Sequence, residues 1–333
     1  MNVICAFSSD ARELYKADIY RALALPEGHI LHFRYKKKYV DPNIISLGKD
    51  IKGRKLVIFY THGNVGADKN IEHISIREAI VVDFEVSGET DVAHIYMRLN
   101  GFCNVQIDSI NSMEKLPPNK FFSEASCTFV DENNNWQTRI NAVKQFLPPL
   151  IYFQFKGISS SRWPFSKKNL TLKYANSDRS CFFRLKQGAR HTLHLTLGNP
   201  DTTTTKINVD EPGRDVSINV VKPIETSVQF DDIDVPMIVQ SLQIYKKPSL
   251  LTFLPENGAA SLGEYATNVE LELHGGLVKP GLFGFFSLCV LGAIVAVQPR
   301  SPASLWPSWW VIGIAAVLFW GATSVLFYWF NKK

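Results

Sequence analysis

Charge is what the last part of this sequence lacks. Between Pro280 and Phe330 a single charged side chain occurs, Arg300, with eighteen uncharged residues from Pro280 to Val297 before it and twenty-two from Trp309 to Phe330 after it. Soluble helices are seldom apolar all round over such lengths, so a buried soluble hairpin is the lesser reading. Cysteine is scarce too. Cys5, Cys103, Cys127, Cys181 and Cys289 are odd in number, scattered and free of any C-x-x-C, and read as buried thiols in a reducing compartment. Met1–Phe7 has no basic residue and only a short apolar run, which does not make an export signal. No nucleophile elbow, supported carboxylate pair or metal-ligand set is found, so a binding module is expected rather than an enzyme, with no cofactor.

What is there begins with the two apolar stretches. A span of about 17–25 apolar residues crosses a hydrocarbon core of about 30 Å. The turn between them holds Pro299, Pro302 and Pro307, which end one helix and delay the next. Trp306, Trp309 and Trp310 gather at one edge of the second span, and Tyr328 and Trp329 at the other. At 1.5 Å per residue these belts stand about 28 Å apart, the depth of the core. Lys279, Lys332 and Lys333 flank the pair against Arg300 in the turn, so both long ends are expected in the cytoplasm. Gly284, Gly292 and Ala296 form a small-residue stripe on the first helix, and Gly313, Ala316, Thr323 and Ser324 a slightly polar one on the second. Such stripes let helices pack closely in lipid, within one hairpin or between copies.

Residues 1–279 carry all but three of the charged groups and read as soluble. The expected fold is mainly β with some α: an α+β domain over 1–157, a β-sandwich domain over 169–275, and a two-helix transmembrane hairpin over 280–330, with spans 280–297 and 309–330. Val3–Phe7 reads as a strand. Ser9 and Asp10 suit the cap of a helix carrying Leu14, Ile19 and Leu23, which stops at Pro26. Strand-like runs follow at 29–35, 55–60, 71–86, 93–99 and 105–107. Trp136, Ile140, Val143 and Leu147 lie at helical spacing, and a strand at 151–155 follows. Gly157–Lys168, Ser-rich and basic, reads as the boundary. From Leu170 to His274 seven or eight short strands alternate with turn residues, which suggests an antiparallel sandwich. The last, Asn268–His274, leads almost directly into the first apolar span.

Candidate sites are few. His29 and His32, and His191 and His194, are three apart but fall in expected strands, where such residues face opposite ways and cannot share an ion. Gly63–Gly66 lacks the spacing of a phosphate loop and reads as a plain loop. Asp231, Asp232 and Asp234 read as a solvated turn. Arg34, Lys36, Lys37 and Lys38, interleaved with Tyr35 and Tyr39, could meet phosphates and bases or could be a solvated strand end. Arg162, Lys167, Lys168 and Lys173, beside Trp163 and Phe165, could touch anionic lipid or be solvated. The net charge of +5 is compatible with a lipid surface or nucleic acid and proves neither.

A soluble two-domain body with a two-helix hairpin resembles, in layout, the two-transmembrane effectors of bacterial anti-phage systems, including those linked to retrons, cyclic-nucleotide signalling and CRISPR. The resemblance covers Pro280–Phe330 and carries no functional residue into 1–279. It implies an inner-membrane effector of abortive infection, held silent by a protein partner or a nucleotide or nucleic-acid ligand, that oligomerises and permeabilises the membrane. The alternative is a constitutive membrane-tethered scaffold or adaptor, and last an anchored nucleotide-binding protein.

Overall fold

The computed structural model describes residues 3–62, 72–102, 104–105, 122–125, 129–130, 135–148, 150–162, 166–187, 189–199, 205–211, 216–218, 224–226, 230–239, 246–257, 260–261 and 263–274. Both apolar spans, their aromatic belts and small-residue stripes, and Gly63–Gly66 lie outside them. No described helix is long and apolar enough to cross a membrane. The described chain is mainly β, with a few helices.

In chain order the first elements are β1 (Val3–Ser9), α1 (Glu13–Ala24), β2 (Ile30–Lys36), α2 (Pro42–Leu47), β3 (Lys55–His62), β4 (Glu72–Ser87), β5 (Val92–Phe102), β6 (Asn104–Val105), β7 (Phe122–Ala125), β8 (Phe129–Val130) and α3 (Asn135–Val143). Six of these strands form one sheet in the order β2-β5-β4-β3-β1-β7. Within it β1 and β3 are parallel, and the other pairs are antiparallel. Every residue of β1 is buried, as a strand covered on both faces requires. The expected cap of α1 is not made. Its N-cap is Arg12, without a side-chain bond. Ser9 Oγ instead accepts from the Ala11 amide, and Asp10 pairs with His62. Leu14, expected in the core, is exposed, and Ala17, Tyr20, Leu23 and Ala24 are buried with Ile19. Trp136, Ile140, Val143 and Leu147 are buried as their spacing predicts.

The remaining strands are β9 (Tyr152–Arg162), β10 (Ser166–Asn169), β11 (Lys173–Tyr174), β12 (Cys181–Lys186), β13 (Arg190–Gly198), β14 (Thr205–Asp210), β15 (Val216–Ile218), β16 (Ile224–Thr226), β17 (Phe230–Val239), β18 (Lys247–Asn257), β19 (Ala260–Ser261) and β20 (Thr267–His274). One sheet runs β10-β9-β13-β17-β15, and another β11-β12-β20-β18-β14-β16 with β19 on β18. They meet through aromatic rings. Phe153 of β9 stacks on Phe253 of β18 at 4.8 Å, and Phe155 meets Phe183 of β12 edge-on at 5.4 Å. This is compatible with the sandwich expected from the strand spacing. Val269, Leu271 and Leu273 are buried and alternate with more open neighbours, as the pattern of β20 predicts.

The Ser-rich stretch has regular structure, and one local reading is corrected. Much of the Ser-rich stretch read as a boundary is strand. β9 runs through it to Arg162 and pairs with β10 and β13. The acidic knot is not a turn. Asp231, Asp232 and Asp234 lie in β17, opposite Leu197, Thr196 and His194. The outward carboxylates find partners, Thr196 Oγ1 for Asp232 and His194 for Asp234.

Helix α1 ties the sheets together. Tyr20 Oη donates to the Ile151 carbonyl at 2.6 Å, and its ring meets Tyr152, Phe153 and Tyr265. Arg21 donates to the carbonyls of Ala266 (3.1 Å) and Glu264 (2.6 Å), just ahead of β20. One buried apolar cluster extends from Ile4 to Leu273 across all three of these sheets.

Candidate functional site

The turn after α1 and the strands β9 to β12 enclose a cleft of about 590 Å³. That is the size range of small-molecule sites, about 300–1,000 Å³. One wall is Pro26–Gly28, which follows α1 because proline ends the helix. The other wall comes from β9, where the pairing with β13 slips by one residue. Phe155 faces Leu195 and Gly157 faces His194, leaving Lys156 as the extra residue of a bulge. Gly157 has φ of +142°, a conformation that side-chain-bearing residues avoid. Bulges re-aim side chains, and this one directs Lys156 into the cleft. Partial burial lowers the Lys156 pKa from its ordinary value, against the raising effect of Asp232.

Tyr174 spans the two walls, its hydroxyl donating to the Gly28 carbonyl at 2.9 Å. Gly28 has φ of +85°, and a Cβ there would lie 3.1 Å from Tyr174 Oη. Gly28→Ala is therefore expected to cost about 1–3 kcal/mol through strain and the displaced tyrosine. Denaturant midpoints of the two chains measure it, and an unchanged midpoint would contradict the close approach.

On the open face of the sheet beside this cleft, three strands supply a serine, a histidine and an aspartate. His194 Nδ1 lies 2.6 Å from Asp234 Oδ1, and Nε2 lies 2.8 Å from Ser159 Oγ. With Nδ1–H donating to the carboxylate, Nε2 accepts from the serine hydroxyl. These are the contacts of a nucleophilic triad, but the burial is reversed. Ser159 is 3% exposed and the Asp234 side chain 60%. A hydrolase needs an open nucleophile and a sheltered carboxylate. The set is a cross-strand clamp holding β9, β13 and β17 in register. His191, on the opposite face, is buried and bonds the Lys186 carbonyl, so the two histidines do face opposite ways.

A second polar group lies where the parallel strands β1 and β3 end, the edge at which open α/β sheets hold ligands. His62 Nδ1 is 2.8 Å from Asp10 Oδ2 and its ring stacks on Phe146. Thr61 Oγ1 meets His73 Nδ1 at 3.0 Å, and Ser8 Oγ donates to the Tyr15 carbonyl.

The sequence-derived basic residues separate. Arg34 and Lys36 are exposed on β2, and Lys37 and Lys38 on the short turn beyond it, with Lys38 Nζ 4.9 Å over the Tyr39 ring. Tyr35 does not join them, because its hydroxyl is buried and donates to the Phe7 carbonyl. The face of β2 that bears Arg34 is already occupied. His32 stacks between His94 and Tyr96, and Arg179 covers Tyr96 while pairing with Asp83 and Glu85. Lys167 and Lys168 are exposed on β10, a different sheet and the strand that ends at Asn169 of the cleft. Arg162 closes β9, and its side chain is outside the described residues. Lys156 and Glu27, which line the cleft together with Asn169, did not stand out in the sequence. A glycine directly after a lysine inside an apolar strand run was the available signal of a bulge. No family of proteins matches this sequence, and neither does any curated protein.

Proposed function

We propose that this chain is a membrane-anchored effector of a bacterial anti-phage system. A cytosolic body of an α+β domain and a β-sandwich domain binds a partner or ligand, and the apolar pair 280–330 forms a transmembrane hairpin in the inner membrane that oligomerises and permeabilises it. The observation that carries this reading is the position of β20. It is paired on both sides, by β12 in parallel and β18 antiparallel. Its start is fastened to α1 through Arg21 and through Tyr265, whose hydroxyl donates to Glu13 at 2.6 Å. Five residues separate its end, His274, from Pro280. Phe183 of β12 lines the cleft, so the strand beside β20 is also a wall of that cavity. Movement at α1 or in the cleft therefore reaches the end of β20, five residues ahead of the apolar pair, along hydrogen-bonded strands.

Induced expression in bacteria with a membrane-impermeant DNA dye tests the reading. The full chain, freed of its silencing partner, is expected to admit dye before growth stops, and truncation after Lys279 to abolish both effects. Toxicity that survives the truncation would overturn it. Replacing 280–330 by an unrelated hairpin separates the tethered scaffold, which keeps its activity, from the membrane-active effector, which loses it.

A further inference from the structure

The cleft is lined by an exposed cation, Lys156. Lys156 has no hydrogen-bond or ion-pair partner among the described residues, and its nearest named electrostatic influence is Asp232. An ordinary surface lysine needs no special backbone. This one is aimed by a bulge that requires Gly157 at φ of +142°. The wall beneath it is apolar, built by Ile158, Leu170, Leu172 and Phe183. Asn169, Glu27 and His194 line the same cleft. An ammonium over an apolar floor is complementary to a molecule with an anionic group on an apolar or planar body, since desolvated charge-assisted bonds are the stronger ones. An acidic protein segment fits poorly, because the Tyr174–Gly28 hydrogen bond straps the walls together.

We infer that the cleft between the Pro26–Gly28 turn and strands β9–β12 binds a small organic anion, with its carboxylate or phosphate on Lys156 and Asn169 and its apolar or planar body against Leu170, Leu172 and Phe183. The site goes beyond the membrane reading and does not depend on it, since binding is measured on the solubilised chain without any leakage.

The test is saturation-transfer NMR on the full chain in a non-ionic detergent. The probes are indole-3-acetate and adenosine monophosphate, with indole-3-acetamide as the neutral match and inorganic phosphate as the anion alone. The expected result is saturable binding of an aromatic anion, with the amide and bare phosphate weaker by about tenfold or more, the worth of one charge-assisted contact. Whether indole-3-acetate or adenosine monophosphate binds tighter distinguishes carboxylate from phosphate ligands. Lys156→Met is expected to weaken the anion by about tenfold and leave the amide unchanged, while Lys156→Arg retains binding. Leu172→Trp, which fills the floor, is expected to remove both. Equal binding of acid and amide, undiminished binding to the Lys156→Met chain, or no saturable binding by either anion would overturn the inference. Binding without dye leakage in cells would sink the effector reading and leave this site standing.

Discussion

Arg77→Met is expected to lower the stability of the described body by about 4 kcal/mol, a large share of a typical margin of about 5–15 kcal/mol. Arg77 is 1% exposed in the middle of β4. Its Nη1 donates to the carbonyls of Ala22, at 3.0 Å, and Leu25, and its Nε to the Asn100 carbonyl at 2.6 Å. Ala22 and Leu25 lie at the C-terminal end of α1, where helix carbonyls have no intrahelical partner and the helix dipole is negative. The guanidinium therefore caps the helix from inside the protein, with its flat face 4.4 Å from the Phe102 centroid. Register shifts on both sides of it, in the pairings with β3 and β5, turn its side chain inward. Methionine fills much of the volume but leaves three carbonyls unpaired, two of them buried and each of those worth about 1–3 kcal/mol. Lysine restores a charge without the fork and is expected to recover less than half. Urea midpoints of the detergent-solubilised chains measure this, and a loss below about 1 kcal/mol would show that the carbonyls find other donors.

How much of this was legible in the sequence depended on whether the rule at work was periodic. The alternation Val269, Leu271, Leu273 and the helical spacing of Trp136, Ile140, Val143 and Leu147 each put one face into the core, and the structure buries both sets. The misreadings came where tertiary partners decided. Ser9 and Asp10 look like a helix cap, but Asp10 is drawn to His62, on a strand 52 positions away. Three aspartates look like a turn until their neighbours on β13 supply a hydroxyl and an imidazole. The cleft was illegible for a further reason. Its walls come from positions 26–28, 156–158 and 169–174, and nothing local says that these meet. Arg77 was overlooked because its run also carries Glu72, Glu78, Asp83 and Glu85, and nothing local marks which of these charges is buried.

Acidification from pH 7 to 4 is expected to destabilise the body by about 2 kcal/mol, and Asp18→Asn to double that loss. The driving groups are His29 and His32. Burial pushes the His29 pKa down to about 4, and Arg77 beside it adds repulsion. Its Nδ1 meets the Ile30 carbonyl, while Nε2 is enclosed without a partner, so a second proton there has nowhere to bond. His32 is pushed to about 4 by burial, then by His94 and Arg34. In the unfolded chain both protonate near 6.5. Between pH 6.5 and 4 the unfolded state therefore holds more protons, and falling pH favours it. His29 contributes about 3 kcal/mol over that interval, and the partly solvated His32 about 1. Asp18 opposes them. Burial outweighs its pairing with Arg21 and raises its pKa to about 6, against 3.8 unfolded. There the folded state holds the extra proton between pH 6 and 3.8, so acid stabilises it, by about 2 kcal/mol. The difference is the expected net loss. Asp18→Asn removes the opposing group and leaves about 4 kcal/mol, whereas His29→Gln removes the main driver and turns the loss into a gain of about 1 kcal/mol. Urea midpoints of the three chains at pH 7 and 4 give these slopes. An Asp18→Asn chain less acid-sensitive than the parent would show that Asp18 is charged and well paired in the folded state, the opposite of what its burial beside Arg21 dictates.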